Sequence, residues 1–185
     1  MRHHRLLMLF FKKIAVSVFV LFAALTGAKS QAPAGSPRTG NPAFDKEIGR
    51  LLKFSVPLIS VEHLRQQKEK YTLLDAREPA EYALSHIPGA KNVGYEHFSA
   101  ALLKGISKEK SIVVYCSVGY RSEKIGEKLR AMGFTKVFNL YGSIFEWANQ
   151  GFPLENAQGQ TTKALHTYNQ DWGKWVTNPA IEKKW

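Results

Sequence analysis

Cys116 is the only cysteine of the 185-residue chain, and Arg121 follows it by five positions. The segment between them, Ser117-Val118-Gly119-Tyr120, is short and holds one glycine. A thiolate is a strong nucleophile and a metal ligand, and two things stabilise it: backbone amides curled into an anion-binding nest, and a nearby guanidinium. The spacing Cys-x4-Arg therefore points to covalent chemistry on sulfur. Cys116 is the nucleophile, Arg121 stabilises the thiolate or an incoming anion, and Ser117, Val118, Gly119 and Tyr120 line the bound group. Free cysteine titrates near ~8.5 and is only about 3% thiolate at pH 7, and each unit of depression needs about 1.4 kcal/mol of differential stabilisation. A helix N-terminus supplies about 0.3 to 2 kcal/mol, so the loop amides and Arg121 must add to it. The bland alternative is an inert buried thiol, since free cysteine is among the most buried residue types.

The flanking sequence argues against that alternative. Ser111 to Tyr115 is an apolar, β-prone run ending at Cys116. From Tyr120 to Met132, residues Ile125, Leu129 and Met132 recur as one face of a helix that Gly133 closes. The order is strand, tight loop, helix, which aims unpaired helix amides at the sulfur. Similar alternation runs through residues 44–154. A helix is expected over Phe44 to Phe54, Ser60 is an N-cap for a helix carrying Val61 and Leu64, and Tyr71 to Leu74 is a strand ending at Asp75. Pro79 sits at a first helical position for a helix to Leu84, a short strand lies around Asn92, and Tyr95, Phe98 and Leu102 mark another helix. A strand over Lys136 to Leu140 and a helix over Ile144 to Asn149 complete the pattern. This is an α/β domain with a mostly parallel sheet, in which the runs around Leu73 and Val113 are inner strands. Ligands of such sheets bind outside the carboxyl ends of the strands, where Asp75 and Cys116 both fall.

The ends of the chain read differently. Residues 1–30 carry a basic start (Arg2, Arg5, Lys12, Lys13), an uncharged apolar stretch from Ile14 to Thr26, and small residues at Gly27, Ala28 and Ser30. This is the pattern of a cleaved export signal, with an uncleaved anchor as the alternative, and it predicts a periplasmic or secreted protein with no membrane segment after cleavage. Residues 31–43, rich in Pro, Gly and small polar residues, are expected to be a flexible linker. Residues 155–185 form a polar extension bearing Tyr168, Trp172, Trp175 and Trp185. Those aromatics are expected to lie against the parent domain, a strip for a protein partner being the alternative.

The formal net charge is +11, but residues 1–30 hold five of the 26 Lys and Arg and no acid, so the remainder carries 21 basic against 15 acidic residues, a net of +6. A mildly basic domain helps collect small anions by steering. It lacks the basic cluster with interleaved aromatics that nucleic-acid binding needs. No His, Cys or Asp set has metal-ligand spacing around His86, so no metal or organic cofactor is implied. An exported chain with one cysteine cannot form an internal disulfide, which leaves burial, intermolecular pairing or chemistry for the thiol.

Three segments taken together resemble the rhodanese-like family, the thiosulfate sulfurtransferases, over roughly Pro57 to Leu154. The first is Leu74-Asp75-Ala76-Arg77-Glu78-Pro79-Ala80-Glu81-Tyr82 with His86-Ile87-Pro88-Gly89-Ala90-Lys91-Asn92; the second is Cys116 to Arg121 with Ser122; the third runs from Gly133-Phe134 through Val137, Leu140, Gly142 and Trp147. The resemblance implies a five-stranded parallel sheet flanked by helices on both faces. It implies transfer of a sulfane sulfur from thiosulfate or a similar small anionic donor to cyanide, a thiol or a protein, through a Cys116 persulfide. Asp75 and Arg77 resemble a strand-end pair whose first role is bracing neighbouring loops and whose second is contact with an anionic donor. Glu81 is read as a helix-surface charge or ion-pair partner, and Trp147 as core or pocket wall. The family often has two glycines where this chain has Gly142-Ser143, and serine tolerates a positive φ less well. A cysteine phosphatase or arsenate reductase is the weaker alternative, because the phosphate-cradling loop of that chemistry is Cys-x5-Arg, one residue longer. A non-catalytic binding module of the same fold is the other.

Overall fold

The computed structural model describes residues 32–185; the export signal expected over residues 1–30 lies outside the described residues. The linker expected over 31–43 joins the fold before it ends. Thr39 is buried, its N–H donates to Asp45 Oδ1 at 2.9 Å, and the Gly40 N–H donates to Glu146 Oε1 at 3.3 Å. Asn41 then caps α1 (Pro42–Leu51) by accepting the Ala43 and Phe44 N–H groups, with Pro42 at the start where its missing donor costs nothing. The helix buries Phe44 and Ile48.

The elements that follow alternate as the sequence pattern requires: β1 (Leu58–Ile59), α2 (Val61–Gln67), β2 (Thr72–Asp75), α3 (Pro79–Leu84), β3 (Lys91–Asn92), β4 (Ile112–Tyr115), α4 (Tyr120–Ala131), β5 (Val137–Leu140) and α5 (Ser143–Asn149). Ser60 caps α2 through the His63 N–H, and Glu78 and Glu81 close a reciprocal capping box on α3. The helix expected from Tyr95 to Leu102 is reduced to one 3-10 turn, Ala100–Leu103. The Ser99 side chain accepts the Ala101 N–H and so caps the run in its middle, while Gly105 ends it at φ +84.

All pairings in the five-stranded sheet are parallel, in the order β1-β5-β4-β2-β3. Leu73 and Val113 stand on inner strands, paired with each other in register. Alternate residues of each strand feed two separate cores. Leu73, Val113 and Tyr115 pack with Phe44, Ile48, Leu64, Phe145 and Trp147 from α1, α2 and α5 on one face. Leu74, Ile112, Val114 and Cys116 pack with Ile125 and Leu129 of α4 on the other. The chain leaves β2 toward one edge of the sheet and leaves β4 toward the other. The carboxyl ends of β2 and β4 therefore flank the topological switch point, where parallel sheets open a crevice.

The extension adds a β6–β7 hairpin (Leu154–Glu155 with Thr161–Thr162), then β8 (Ala164–His166), α6 (Gln170–Gly173) and β9 (Glu182–Lys184), with β8 and β9 paired in parallel. It packs onto the α1 side of the sheet: Leu165 and Val176 are buried, and Trp175 stacks on Phe44 with ring centroids 5.3 Å apart. Trp172 also touches this core, whereas Trp185 is exposed. Trp175→Ala is expected to cost about 2 kcal/mol, below the range for a fully buried tryptophan because Trp175 is half-buried, and to lower Tm by about 4 to 8 °C. An unchanged melting curve would instead mark the aromatics as a strip for a partner. Among the described residues no helix is long and apolar enough to cross a membrane.

Candidate active site

Cys116 leaves β4 on the α4 face of the sheet and is 1% exposed. The loop beyond it turns back through Gly119, whose φ of +122° is strained for any residue with a Cβ. That conformation lets the Gly119 N–H donate to Cys116 Sγ at 3.1 Å, just ahead of the first turn of α4. Ser122 Oγ lies 3.6 Å from the sulfur, 3.1 Å from the Gly119 carbonyl and 2.7 Å from Asn139 Oδ1, so its single proton has three acceptors within reach. Burial by itself pushes the Cys116 thiol up, but the Arg121 charge and the hydrogen bonds from Ser122 and Gly119 outweigh it and hold the thiol below its ordinary range.

Arg121 acts on the sulfur by charge at a distance. Its Nη1 and Nη2 make a two-pronged pair with Glu81 at 2.6 and 2.9 Å, and Nη2 also donates to Ser117 Oγ at 3.0 Å. Glu81 is therefore a buried ion-pair partner and not a helix-surface charge. The pair fixes Arg121 across the loop mouth, tying α3 to α4. Ser117 and Val118 are buried and line the cleft, Tyr120 lines it while exposed, and Gly119 serves the sulfur through its backbone.

Asp75 and Arg77 stand apart from this cleft. Arg77 is fully buried and donates to both Asp75 oxygens, the shortest contact being 2.6 Å, and also to the Ser85 carbonyl at 2.6 Å. The pair braces the turn between β2 and α3, and neither residue lines the cavity that reaches Cys116. A donor-contact role for Arg77 has no geometric basis. Trp147 is core, its Nε1 donating to the Pro153 carbonyl at 2.9 Å. Among the described residues no cluster of three His, Cys, Asp or Glu could hold a metal ion.

The Gly142-Ser143 departure is structural capital for the loop. Ser143 does adopt a left-handed φ of +52°, and its buried Oγ accepts the Cys116 N–H at 3.2 Å and donates to the Leu140 carbonyl at 3.1 Å. The next two amides, Ile144 and Phe145, donate to the carbonyls of Cys116 and Ser117 at 3.2 Å each. Ser143→Ala keeps the backbone strain and leaves a buried N–H unpaired, an expected loss of about 1 to 3 kcal/mol. Ser143→Gly also loses the bonds but relieves strain of order 1 kcal/mol, so in urea unfolding it should be the more stable of the two by about that amount. Equal stabilities would show that the φ carries no strain.

Sequence reasoning missed several residues of the site. Sγ lies at the floor of a cleft of about 330 Å³ whose walls include Leu51, Glu78, Tyr95 and Glu96, and also Tyr168 and Trp172 from the extension. Ser122, one helical step beyond Gly119, was legible as a first-turn hydroxyl. Tyr168 and Trp172 carry no local signal, because only the long-range docking of residues 155–185 brings them to the loop.

Residues 60–150 match the family model described as a rhodanese-like domain. The chain is 35% identical over 91 residues to a protein of Allochromatium vinosum named sulfurtransferase, a stretch covering 49% of this chain and 84% of that protein. It is 32% identical over 124 residues to the tRNA uridine(34) hydroxylase of Cronobacter sakazakii, covering 62% of this chain but 34% of that one, so it spans about a third of that relative's length. The solution structure of a rhodanese-like domain from Anabaena sp. superposes with a TM-score of 0.51 at 27% identity, covering 54% of this chain and 79% of that domain.

Proposed function

From its membership of the rhodanese family, to which the chain belongs, we propose that it is an exported sulfurtransferase working through a persulfide on Cys116. The observation that carries this reading is the sulfur itself, set at the floor of an open cleft under the Gly119 N–H with its thiol held below the ordinary range. In the first half-reaction the thiolate attacks the outer sulfur of thiosulfate or a similar donor. A new S–S bond forms, the donor's S–S bond breaks, and its electron pair leaves on sulfite. In the second, cyanide, a thiol or a protein thiolate attacks the terminal sulfur, and the electron pair of the persulfide bond returns to Cys116. The Gly119 amide stands where it can hold negative charge on Cys116 Sγ, and the Glu81–Arg121 pair keeps a positive group near it without leaving it free to swing. The export part of the reading rests on the leader pattern of residues 1–30, and places the work in the periplasm or outside the cell.

Purified reduced protein treated with thiosulfate is expected to gain the mass of one sulfur atom on Cys116 and to lose it on adding cyanide. Absence of that adduct, with the thiol shown to be reduced, would overturn the reading in favour of a binding module. Hydrolysis of an aryl phosphate in its place would favour the phosphatase.

A further inference from the structure

The catalytic loop is only one part of the cleft's wall; another comes from the extension beyond the rhodanese match, through Tyr168 and Trp172. Tyr168 is 59% exposed, so burial does not hold it there. It nevertheless adopts φ +67°, with its N–H donating to His166 Nδ1 at 3.1 Å, and its ring faces the Arg121 guanidinium at 5.9 Å. Backbone strain of this kind persists where the surroundings impose it and collects at functional sites. Four large hydrophobic residues are exposed among the described residues, and two of them, Tyr120 and Tyr168, stand at this cleft.

The remaining lining fits a particular kind of substrate. Leu51, Tyr95, Val118 and Trp172 continue the apolar and aromatic surface. The charged residues lining the cleft are Glu78, Glu81 and Glu96 against Arg121, and Arg121 is already engaged by Glu81. A compact dianion such as thiosulfate gains little from that balance and leaves most of about 330 Å³ unfilled. An aromatic ring carried on the leaving side of the sulfur would fill the space between Tyr120, Tyr168 and Trp172 and would bring one negative charge fewer.

We propose that the extension makes this site selective for sulfane-sulfur compounds borne on an aromatic or apolar group, with Tyr168 as the specificity-determining residue. The inference rests on the sulfurtransferase reading. With such a donor, an aryl thiosulfonate, the Cys116 thiolate attacks the outer sulfur, the donor's S–S bond breaks, and the electron pair leaves on the aryl sulfinate, so that total charge is conserved.

The test compares benzenethiosulfonate with thiosulfate as donors to the full chain, with cyanide as acceptor. Each kcat/KM is divided by the rate of the same donor with a small free thiol, which removes intrinsic reactivity. The wild type is expected to prefer the aryl donor at least about tenfold on this scale. Tyr168→Ala should cut that ratio about tenfold, whereas Tyr168→Phe should keep it, since the ring and not the hydroxyl does the selecting; a thermal melt confirms that each variant is folded. A wild-type ratio near one, or a ratio that Tyr168→Ala leaves unchanged, overturns the inference alone. Persulfide formation from neither donor overturns the sulfurtransferase reading, and this inference with it.

Discussion

Replacing Glu81 and Arg121 together by glutamine is expected to move the pH dependence of Cys116 alkylation upward and to slow alkylation at pH 7 by about tenfold or more. Burial is the largest influence on the thiol and raises its pKa, while the Arg121 charge is the largest influence opposing it. Without that charge, only the hydrogen bonds from Ser122 and Gly119 are left against burial, and a rise of one unit is already about tenfold in thiolate at a pH below the titration. The double variant is the informative one. Arg121→Gln alone strands the Glu81 carboxylate, which is nearly buried, and its negative charge would raise the thiol further and confuse the reading. Iodoacetamide rates against pH measure the shift directly, and a profile identical to that of the wild type would remove Arg121 from the account of the thiolate. The same pair sets an acid limit on stability. Burial raises the Glu81 carboxyl, but hydrogen bonds and charge from Arg121 outweigh it and hold it below its usual value. A carboxyl depressed in the folded state contributes stability that is present above its unfolded pKa and lost as pH falls through the folded value. Acid unfolding of the double variant should therefore show a shallower loss in that window.

How much of this was legible in the sequence depended on how local each cause was. The β4–loop–α4 unit could be read because an apolar run, a glycine and a 3.6-residue periodicity lie within about twenty consecutive residues, and each element's propensity agrees with its place in the fold. The same holds for the Ser60 end of α2, where a side chain and the amide it caps are neighbours in sequence, whereas Asn41, an equally local cap, was hidden in a Pro- and Gly-rich stretch that reads as linker. Glu81 and Arg121 are forty residues apart, and only the parallel pairing of β2 with β4 brings the helices that follow them together. Ser143 was visible as an anomaly against the family pattern, yet its role turned on a sheet that places β5 beside β4 and so lays the start of α5 against the loop. Tyr168 lay furthest from reach. Its strained φ, its hydrogen bond to His166 and the approach of its ring to the Arg121 guanidinium all follow from the docking of β8 near α3; the aromatic density of residues 155–185 pointed to packing on the domain but not to this place on it.

Arg77→Met is expected to cost about 3 to 5 kcal/mol of stability, a fall in Tm of about 6 to 20 °C, because it strands the Asp75 carboxylate in a fully buried setting. The cost is that of an uncompensated charge, not the net worth of the pair. Burial tends to lower the Arg77 pKa and the adjoining Asp75 outweighs it, so the buried guanidinium is held in its charged form by its partner. The pair is also imperfect: Arg77 Nη1 has no hydrogen-bond partner, which argues for the lower half of the range. If this account is right, Asp75→Leu combined with Arg77→Met should recover at least half of the loss, since replacing both ions by apolar groups of similar volume removes the stranded charge. The Ser85 carbonyl and the Arg77 N–H lose partners in that variant, so full recovery is not expected. The folded double variant should still acquire the persulfide from thiosulfate, because neither residue lines the cleft. A double variant that is as stable as the wild type but no longer acquires the sulfur would reverse the assignment, and would make Arg77 a donor contact despite its burial.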